Sequence, residues 1–200
     1  MRYKTFLLAA ILPLVIGSFT KPKVLTITSS AFTANGPIPA KYTCMGAEAS
    51  PPLHIDGIPE GTKSLAVIVF DPDAETKVID TQYVNVKPTN RKDKRIKTAR
   101  NQKIRIVHGF THWIMWNLET SPDIPENFRS DHTGLNGAME RAYKGMCPPS
   151  GTHHYQFIIY ALDTQLNIDV KCGKDGLEKI MDGHVLAKGI LVGTFNKSYR

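Results

Sequence analysis

The sequence reads Tyr143-Lys-Gly-Met-Cys-Pro-Pro-Ser-Gly-Thr-His-His-Tyr155 and continues without a break into the apolar run Gln156-Phe-Ile-Ile-Tyr-Ala-Leu162. Proline fixes φ and glycine permits conformations closed to other residues, so this segment predicts a rigid turn that leads into a buried strand. The histidines and tyrosines supply hydrogen-bond donors and a switchable charge. Two interpretations stand: a loop that holds an anion, or an ordinary tight turn with exposed histidines.

Other short apolar runs, bounded by Gly, Pro, Asn and Asp, share this strand character. Residues 24–27 alternate as in a half-buried strand. Residues 64–70 and 112–118 are continuous apolar runs and predict strands that are buried on both faces. Residues 187–195 predict a last strand.

Helical spacing is found in residues 174–186, with Asp175 as the expected N-cap. A series of strands followed by one late helix indicates packed sheets with little helix. The sequence therefore predicts a β-rich fold of two packed antiparallel sheets with short C-terminal helical elements.

The N-terminus has the features of a secretory signal. A short basic start is followed by an apolar run over residues 5–16 and by the small residues Gly17 and Ser18. This run is shorter than the roughly 20 residues of a membrane span, although an uncleaved N-terminal anchor is the alternative. We expect a signal peptide at residues 1–18, a single domain at residues 19–200, and export to the periplasm or outside the cell.

The net charge of +7 is concentrated in one segment. Residues 87–105 carry nine basic residues against Asp93 alone, a net charge of +8, and the signal adds two positive charges, so the rest of the chain carries −3. Such a run predicts a solvated loop or arm that could attract an acidic surface, such as lipid phosphates or an acidic protein. The absence of aromatic residues within it disfavours single-stranded nucleic acid as a partner.

The three cysteines are Cys44, Cys147 and Cys172. In an oxidising compartment one pair could form a disulfide. Because Cys44 and Cys147 both lie in turn-rich segments, we expect them to pair and Cys172 to remain a thiol. Cys-x-x-Cys spacing is absent, so neither a zinc ribbon nor a thioredoxin site is indicated.

Polar motifs stand at the ends of the strongest strands: Asp71-Pro-Asp-Ala74, then His112-Trp-Ile-Met-Trp-Asn-Leu118, then the 143–155 loop. In this order they resemble the phosphatidylethanolamine-binding protein family, in particular its bacterial Raf-kinase-inhibitor-like branch. Further similarity lies in Lys41-Tyr-Thr-Cys-Met-Gly46 and in Gly183-His-Val-Leu-Ala187. The resemblance spans about residues 32–195, nearly the whole predicted domain.

The resemblance implies a single β-rich domain with a small anion pocket at its surface. It implies a ligand site formed by Asp71, Pro72, Asp73, His112, Gly145, Pro148, His153 and Tyr155. Two imidazoles and a phenol can donate to phosphate oxygens, while a carboxylate fixes a histidine tautomer or receives an ammonium group. The expected ligand is therefore phosphate or a phosphoethanolamine-like group.

The sequence departs from the family pattern in ways that bear on this site. His154 stands where arginine is usual, which would make a neighbouring contact depend on pH. Glu75 and Met146 replace prolines, and the basic stretch looks longer than in compact bacterial relatives. Because His153 and His154 are consecutive in an extended chain, we expect His153 and Tyr155 to face the ligand and His154 to face away.

We expect a binding or regulatory protein that needs no cofactor and could inhibit a kinase or protease partner. A hydrolase that uses Asp71, the two histidines and Tyr155 is the alternative, although no Gly-x-Ser-x-Gly, Walker or His-Glu-x-x-His motif is present. Zinc binding by His108, His112 or His153 with Cys147 is a third idea that no helical or hairpin ligand spacing supports. The sequence does not fix the oligomeric state, and a homodimer is compatible with it.

Overall fold

The computed structural model describes residues 23–86 and 97–197, and for residues 76–86 and 97–107 it describes the backbone alone. The predicted signal peptide at residues 1–18 lies outside the described residues, as does the 87–96 part of the basic segment. Among the described residues, no helix has the length and apolar composition needed to cross a membrane.

Eight strands and two short helices make up the described chain. The strands are β1 Lys23–Val24, β2 Thr26–Thr28, β3 Leu53–Asp56, β4 Ser64–Val86, β5 Lys97–Leu118, β6 Asp123–Ile124, β7 Thr152–Leu162 and β8 Val185–Asn196. The helices are a single 3₁₀ turn, Ala40–Tyr42, and α1, Lys174–Met181. The four strongest predicted strands are confirmed as parts of β4, β5, β7 and β8.

The strands form two sheets. The larger sheet has the order β1-β8-β7-β4-β5, and the smaller has the order β2-β3-β6. The predicted strand at residues 24–27 is divided at the buried Leu25, so that β1 joins the larger sheet and β2 the smaller one. The pair β1–β8 is parallel and all other strand pairs are antiparallel. The predicted fold class is confirmed, with this one parallel pair as an addition.

The first half of β4 is buried on both faces because each face has its own apolar partner. Leu65, Val67 and Val69 belong to the core between the two sheets. Ala66 and Ile68 alternate with them and belong to a second core on the opposite face of the larger sheet. The continuous apolar run from Leu65 to Val69 is thereby explained, since successive side chains point to opposite faces of a strand.

Helix α1 covers the second core through Leu177 and Met181. It begins after Gly173, so the prediction of Asp175 as the N-cap was wrong. Asp175 instead lies in the first turn, where a carboxylate faces the positive end of the helix dipole. The helix also ends earlier than predicted, at Met181, because Gly183 adopts φ 81° and the chain then enters β8.

The basic segment is not a loop throughout. Residues 97–107 pair with residues 76–86 in a regular antiparallel ladder, for example Lys97 with Val86 and Lys103 with Asp80. The expectation of a loop or arm over residues 87–105 was therefore wrong for residues 97–105. Both strands are rich in Val, Ile and Thr, and these β-branched residues favour extended backbone over a solvated coil. We call this paired backbone of residues 76–86 and 97–107 the ribbon.

The core between the sheets should carry much of the stability. Ile159 on β7 is 0% exposed in this core, whereas Ile190 on β8 is 49% exposed. Ile159→Ala should lower the free energy of unfolding by about 2–5 kcal/mol, because it removes buried methyl groups and leaves a cavity. Ile190→Ala should change it by less than about 1 kcal/mol, as measured by urea unfolding. Equal losses in the two variants would contradict the assigned burial.

Candidate functional site

Asp71 lies at the point where the buried half of β4 ends. The register between β4 and β5 shifts between Asp71 and Glu75, so the ladder is interrupted there. Asp71 is 3% exposed, and its Oδ1 accepts hydrogen bonds from the backbone N–H groups of Asp73 at 2.9 Å and Ala74 at 3.2 Å. The Asp-Pro-Asp-Ala motif thus forms a turn that is closed by its own first side chain.

His153 on β7 binds the other oxygen of the same carboxylate. Its Nδ1 lies 2.7 Å from Oδ2 of Asp71, and the residue is 8% exposed. A carboxylate oxygen accepts, so Nδ1 carries the proton and Nε2 is left for another partner. Asp71 therefore fixes both the orientation and the tautomer of His153.

His112 on β5 is buried beside this pair. Its Nδ1 donates to the backbone carbonyl of Lys144 at 2.8 Å, which leaves Nε2 for another partner. The His112 ring makes edge contacts with Phe110 and Tyr155, at centroid distances of 4.9 and 5.2 Å. Burial lowers the pKa of His112 below its ordinary value, against the raising effects of the Lys144 carbonyl and the Asp71 carboxylate.

Tyr155 completes the group. It is fully buried, stacks against His153 at a centroid distance of 6.3 Å, and its hydroxyl has no hydrogen-bond partner among the described residues. Burial raises the pKa of Tyr155, and the carboxylates of Asp71 and Asp73 raise it further, so the phenol stays protonated. The group therefore contains a buried donor without an acceptor, which is rare in folded proteins.

The loop that carries Lys144 is held by contacts with a distant part of the chain. Cys147 forms the predicted disulfide with Cys44, 103 residues away. The Gly145 N–H donates to Oε2 of Glu48 at 3.0 Å, and a Cβ on Gly145 would overlap backbone atoms of Thr43 and Cys44. Only glycine fits this position, and the packing keeps the Lys144 carbonyl where His112 needs it.

Asp73 and His154 form a separate, more exposed pair. Oδ2 of Asp73 accepts from the His154 backbone N–H and lies 2.8 Å from its Nδ1. The His154 side-chain hydrogen bond lowers the pKa of Asp73. His153 and Tyr155 are buried while His154 is exposed, so the expectation that His154 faces away from them is confirmed. Asp73 was predicted to share a ligand site with Asp71, but its carboxylate binds His154 instead.

The remaining predicted site residues, Pro72 and Pro148, shape the backbone around the site. Pro72 is half-buried within the Asp71 turn, and Pro148 is buried next to the disulfide.

Two cavities lie elsewhere, one of 510 Å³ bounded by Phe70, Met139 and Lys174, the other of 610 Å³ bounded by Glu48, Arg129 and Tyr143. Neither is lined by Asp71, His112, His153 or Tyr155.

Sequence reasoning missed three contributors to this group. Phe110 packs on His112, the backbone carbonyl of Lys144 orients the same ring, and Glu48 supports the loop. Phe110 and His112 are two positions apart on one strand and therefore lie on the same face, which could have revealed the first of these contacts. A backbone carbonyl and a carboxylate 97 residues from its partner leave no signal in a single sequence.

No group of His, Cys, Asp and Glu with the geometry of a metal site occurs in the part of the chain that the structure describes. Cys147, considered above as a zinc ligand, is in the disulfide.

Comparison with known proteins gives consistent matches. A family model described as phosphatidylethanolamine-binding protein matches residues 28–196. A UPF0098 protein of Archaeoglobus fulgidus is 38% identical over 184 residues, which cover 88% of this chain and 52% of that protein. The chain thus spans about half the length of this relative.

Two further matches cover more of the other chain. A UPF0098 protein of Pyrococcus horikoshii is 37% identical over 180 residues, covering 84% of this chain and 75% of that protein. The crystal structure of CT736 of Chlamydia trachomatis, described as a phosphatidylethanolamine-binding protein homolog, matches with a TM-score of 0.67 at 35% identity. That match covers 88% of this chain and 99% of the other.

The disulfide should be a major source of stability. Replacing Cys44 and Cys147 together by alanine should lower the free energy of unfolding by about 4–5 kcal/mol, because the bridge closes a loop of about 100 residues in the unfolded chain. A reducing agent should destabilise the natural protein equally and leave the double variant unchanged. Cys172→Ala serves as the matched control, with a loss of no more than about 1 kcal/mol in the same urea titration. Insensitivity of the natural protein to reductant would contradict the expected contribution.

The buried His112 should make the protein less stable in acid. In the unfolded chain a histidine ionises near pH 6.5, whereas the pKa of folded His112 is lower, so between these values the unfolded state binds more protons. The contribution of His112 is complete above pH 6.5 and is lost as the pH falls toward its folded pKa. His112→Gln should therefore make the acid loss of stability shallower in urea titrations from pH 7.5 to 5.

His54 provides a control of opposite sign. Its hydrogen bond with Asp123 raises its pKa, so its contribution is present at acid pH and is lost as the pH rises through the folded pKa. His54→Gln should therefore make the acid loss of stability steeper. A shift in the same direction for the two variants would contradict one of the two assignments.

Proposed function

The chain belongs to the phosphatidylethanolamine-binding protein family, and on that premise we propose that it is a binding protein for small ligands that carry a phosphate group. The ligand would be inorganic phosphate or a phosphoethanolamine-like group. It would meet the polar edge formed by Asp71, His112, His153 and Tyr155.

The observation that carries this proposal is the unpartnered hydroxyl of Tyr155. A buried polar group without a partner costs about 1–3 kcal/mol. A phosphate oxygen that reached the group would give this hydroxyl the acceptor that the described residues do not provide. Fixed donors of this kind recognise anions because the protein has already arranged them during folding.

The two histidines supply the remaining donors. Each ring makes a hydrogen bond through Nδ1, His153 to Asp71 and His112 to the Lys144 carbonyl. Nε2 of each ring is therefore left to contact the ligand. Nε2 donates to a phosphate oxygen only when the ring is protonated. Since burial lowers the pKa of His112, an anion that contacts this ring is bound together with a proton, and its affinity increases toward acid pH.

A phosphoethanolamine group also carries a positive charge. Asp71 is already committed to His153 and to its own turn. Asp73 is half-exposed, with its pKa lowered by His154, so it stays ionised at neutral pH. Asp73 also binds His154, but it is more exposed than Asp71, so we assign to it the recognition of an ammonium group next to the phosphate.

Export and partner regulation belong to the same proposal. The N-terminal pattern of a basic start, an apolar run and small residues supports export to the periplasm or the exterior. Membership of the family supports a regulatory role, for example inhibition of a kinase or protease. Such a partner would contact the site either with or without a bound ligand.

Hydrolysis of a phosphoester or ester is the second candidate, and the Asp71–His153 pair favours it. A buried carboxylate that orients an imidazole at 2.7 Å is also how proteins position a general base. With Nε2 of His153 directed to a water molecule, the pair could support attack on a bound ester.

The substitution Tyr155→Phe tests the binding proposal, because it removes the unpartnered hydroxyl and keeps the ring. The dissociation constant for phosphoethanolamine, measured by isothermal titration calorimetry, should rise about tenfold. The free energy of unfolding should stay the same or rise by about 1 kcal/mol, since an unsatisfied buried group is removed. Tyr160→Phe is the matched control on the same strand, on the opposite face of the larger sheet, and should leave the affinity unchanged.

An unchanged affinity in Tyr155→Phe would overturn the role of the hydroxyl. Absence of phosphate and phosphoethanolamine binding to the natural protein would overturn the binding function itself. Turnover of a chromogenic phosphoester that disappears in His153→Ala, with Tyr160→Phe fully active, would favour the hydrolase.

A further inference from the structure

The ribbon concentrates positive charge on described backbone. Its two strands carry five basic residues against Asp80, a net charge of +4, and the basic residues are Lys77, Lys97, Arg100, Lys103 and Arg105. Outside the N-terminal signal and residues 87–105, the chain carries −3. The molecule is therefore electrically divided, with a basic ribbon on an acidic body.

Among the described residues, the two strands of the ribbon pair only with each other. Eleven residue pairs, from Thr76↔Val107 to Val86↔Lys97, extend it to about 35 Å. In the register of the described residues, β7 pairs with β4 only from Ser64 to Phe70. Residues 76–86 therefore pair with β5 alone. A two-stranded ribbon of this kind is marginally stable by itself, so a surface that it contacts contributes to its stability.

Basic and apolar residues occupy neighbouring positions along the ribbon. Ile79 pairs with Ile104, Val84 pairs with Ala99, and Tyr83 pairs with Arg100. A surface that binds both the basic and the apolar residues would present anionic groups above an apolar layer. The headgroup region of a phospholipid bilayer has this composition, and each Lys or Arg close to an anionic leaflet strengthens binding.

We propose that the ribbon docks the protein on phospholipid bilayers that are rich in anionic phosphate headgroups. The charge division orients the molecule, because an anionic surface attracts the ribbon and repels the body. Duplex DNA also accepts a two-stranded ribbon in its major groove, but the Ile79–Ile104 and Val84–Ala99 pairs gain nothing from a phosphate backbone. A second copy of the chain offers only a weakly acidic body as a counter-surface.

The docking site is separate from the phosphate site, and the inference does not depend on the proposed function. The two are nevertheless adjacent in sequence, because the ribbon begins next to the turn that Asp71 closes. Docking would therefore hold the strands that bear Asp71 and His112 to the bilayer at the base of the ribbon.

Vesicle co-sedimentation of the full chain tests this proposal. Vesicles of phosphatidylcholine with about one third phosphatidylglycerol should bind the natural protein, and pure phosphatidylcholine should bind it at least tenfold more weakly. The quadruple variant Lys97→Gln, Arg100→Gln, Lys103→Gln, Arg105→Gln should lose at least about thirtyfold in affinity for the anionic vesicles. Salt well above physiological strength should release the natural protein, since the attraction is screened.

A matched control removes the same charge from the body. Lys23, Lys63, Lys179 and Lys188 are exposed and lie outside residues 76–86 and 97–107, so replacing all four by Gln should change vesicle affinity by no more than about threefold. Both variants keep residues 1–22, so any membrane affinity of the N-terminus is common to them. Unfolding curves that match the natural protein establish that the ribbon variant is folded, and salt release of the natural protein tests the proposal without any variant.

Four results would overturn the proposal. Equal losses in the two quadruple variants would assign binding to total charge, and no loss in either would assign it to another segment. Tighter ribbon-dependent binding to a short DNA duplex than to anionic vesicles would assign the ribbon to nucleic acid. A dimer that dissociates only in the ribbon variant would assign it to a second copy. Tyr155→Phe should bind vesicles normally, so a failure of the phosphate site is distinguishable from a failure of docking.

Discussion

The burial of the first half of β4, Leu65 to Val69, on both faces is the constraint on which the rest of the described structure depends. A strand with apolar side chains on both sides needs a layer on each, and the smaller sheet and helix α1 provide these layers. The same strand fixes the site through its register. Phe70 pairs with Gln156 on β7, and the next residue, Asp71, pairs with Phe110 on β5. Asp71 is thereby brought beside the strand segments that carry Tyr155 and His112.

Much of this arrangement is predictable from sequence, because it depends on local alternation. Apolar runs identify the four long strands, and period-two alternation separates His153 and Tyr155 from His154. The pairing of Cys44 with Cys147 follows from the turn-rich character of both segments. Apart from the disulfide, which joins two segments 103 residues apart, what carries these inferences is a pattern within one short stretch of chain.

The features that could not be predicted depend on distant or very short segments. Strand β6 has two residues and no periodicity of its own, and Glu48 reaches Gly145 across 97 residues of sequence. The end of helix α1 was misplaced because His184 and Val185 continue the helical spacing, although Gly183 already turns the chain. The ribbon was misjudged because charge density suggested solvation, whereas β-branched residues and a partner strand decide the backbone.

The irregularity that builds the site also begins the ribbon. Between the pairs Asp71↔Phe110 and Glu75↔His108, three residues of β4 stand opposite Gly109 alone. The extra residues form the turn that Asp71 closes, and Gly109 adopts φ 86° where a side chain would overlap Phe70. A bulge of this kind increases the local twist, so the ribbon can leave the sheet in its own direction. A force that docking applies to the ribbon would therefore reach the body through the turn that also positions His153.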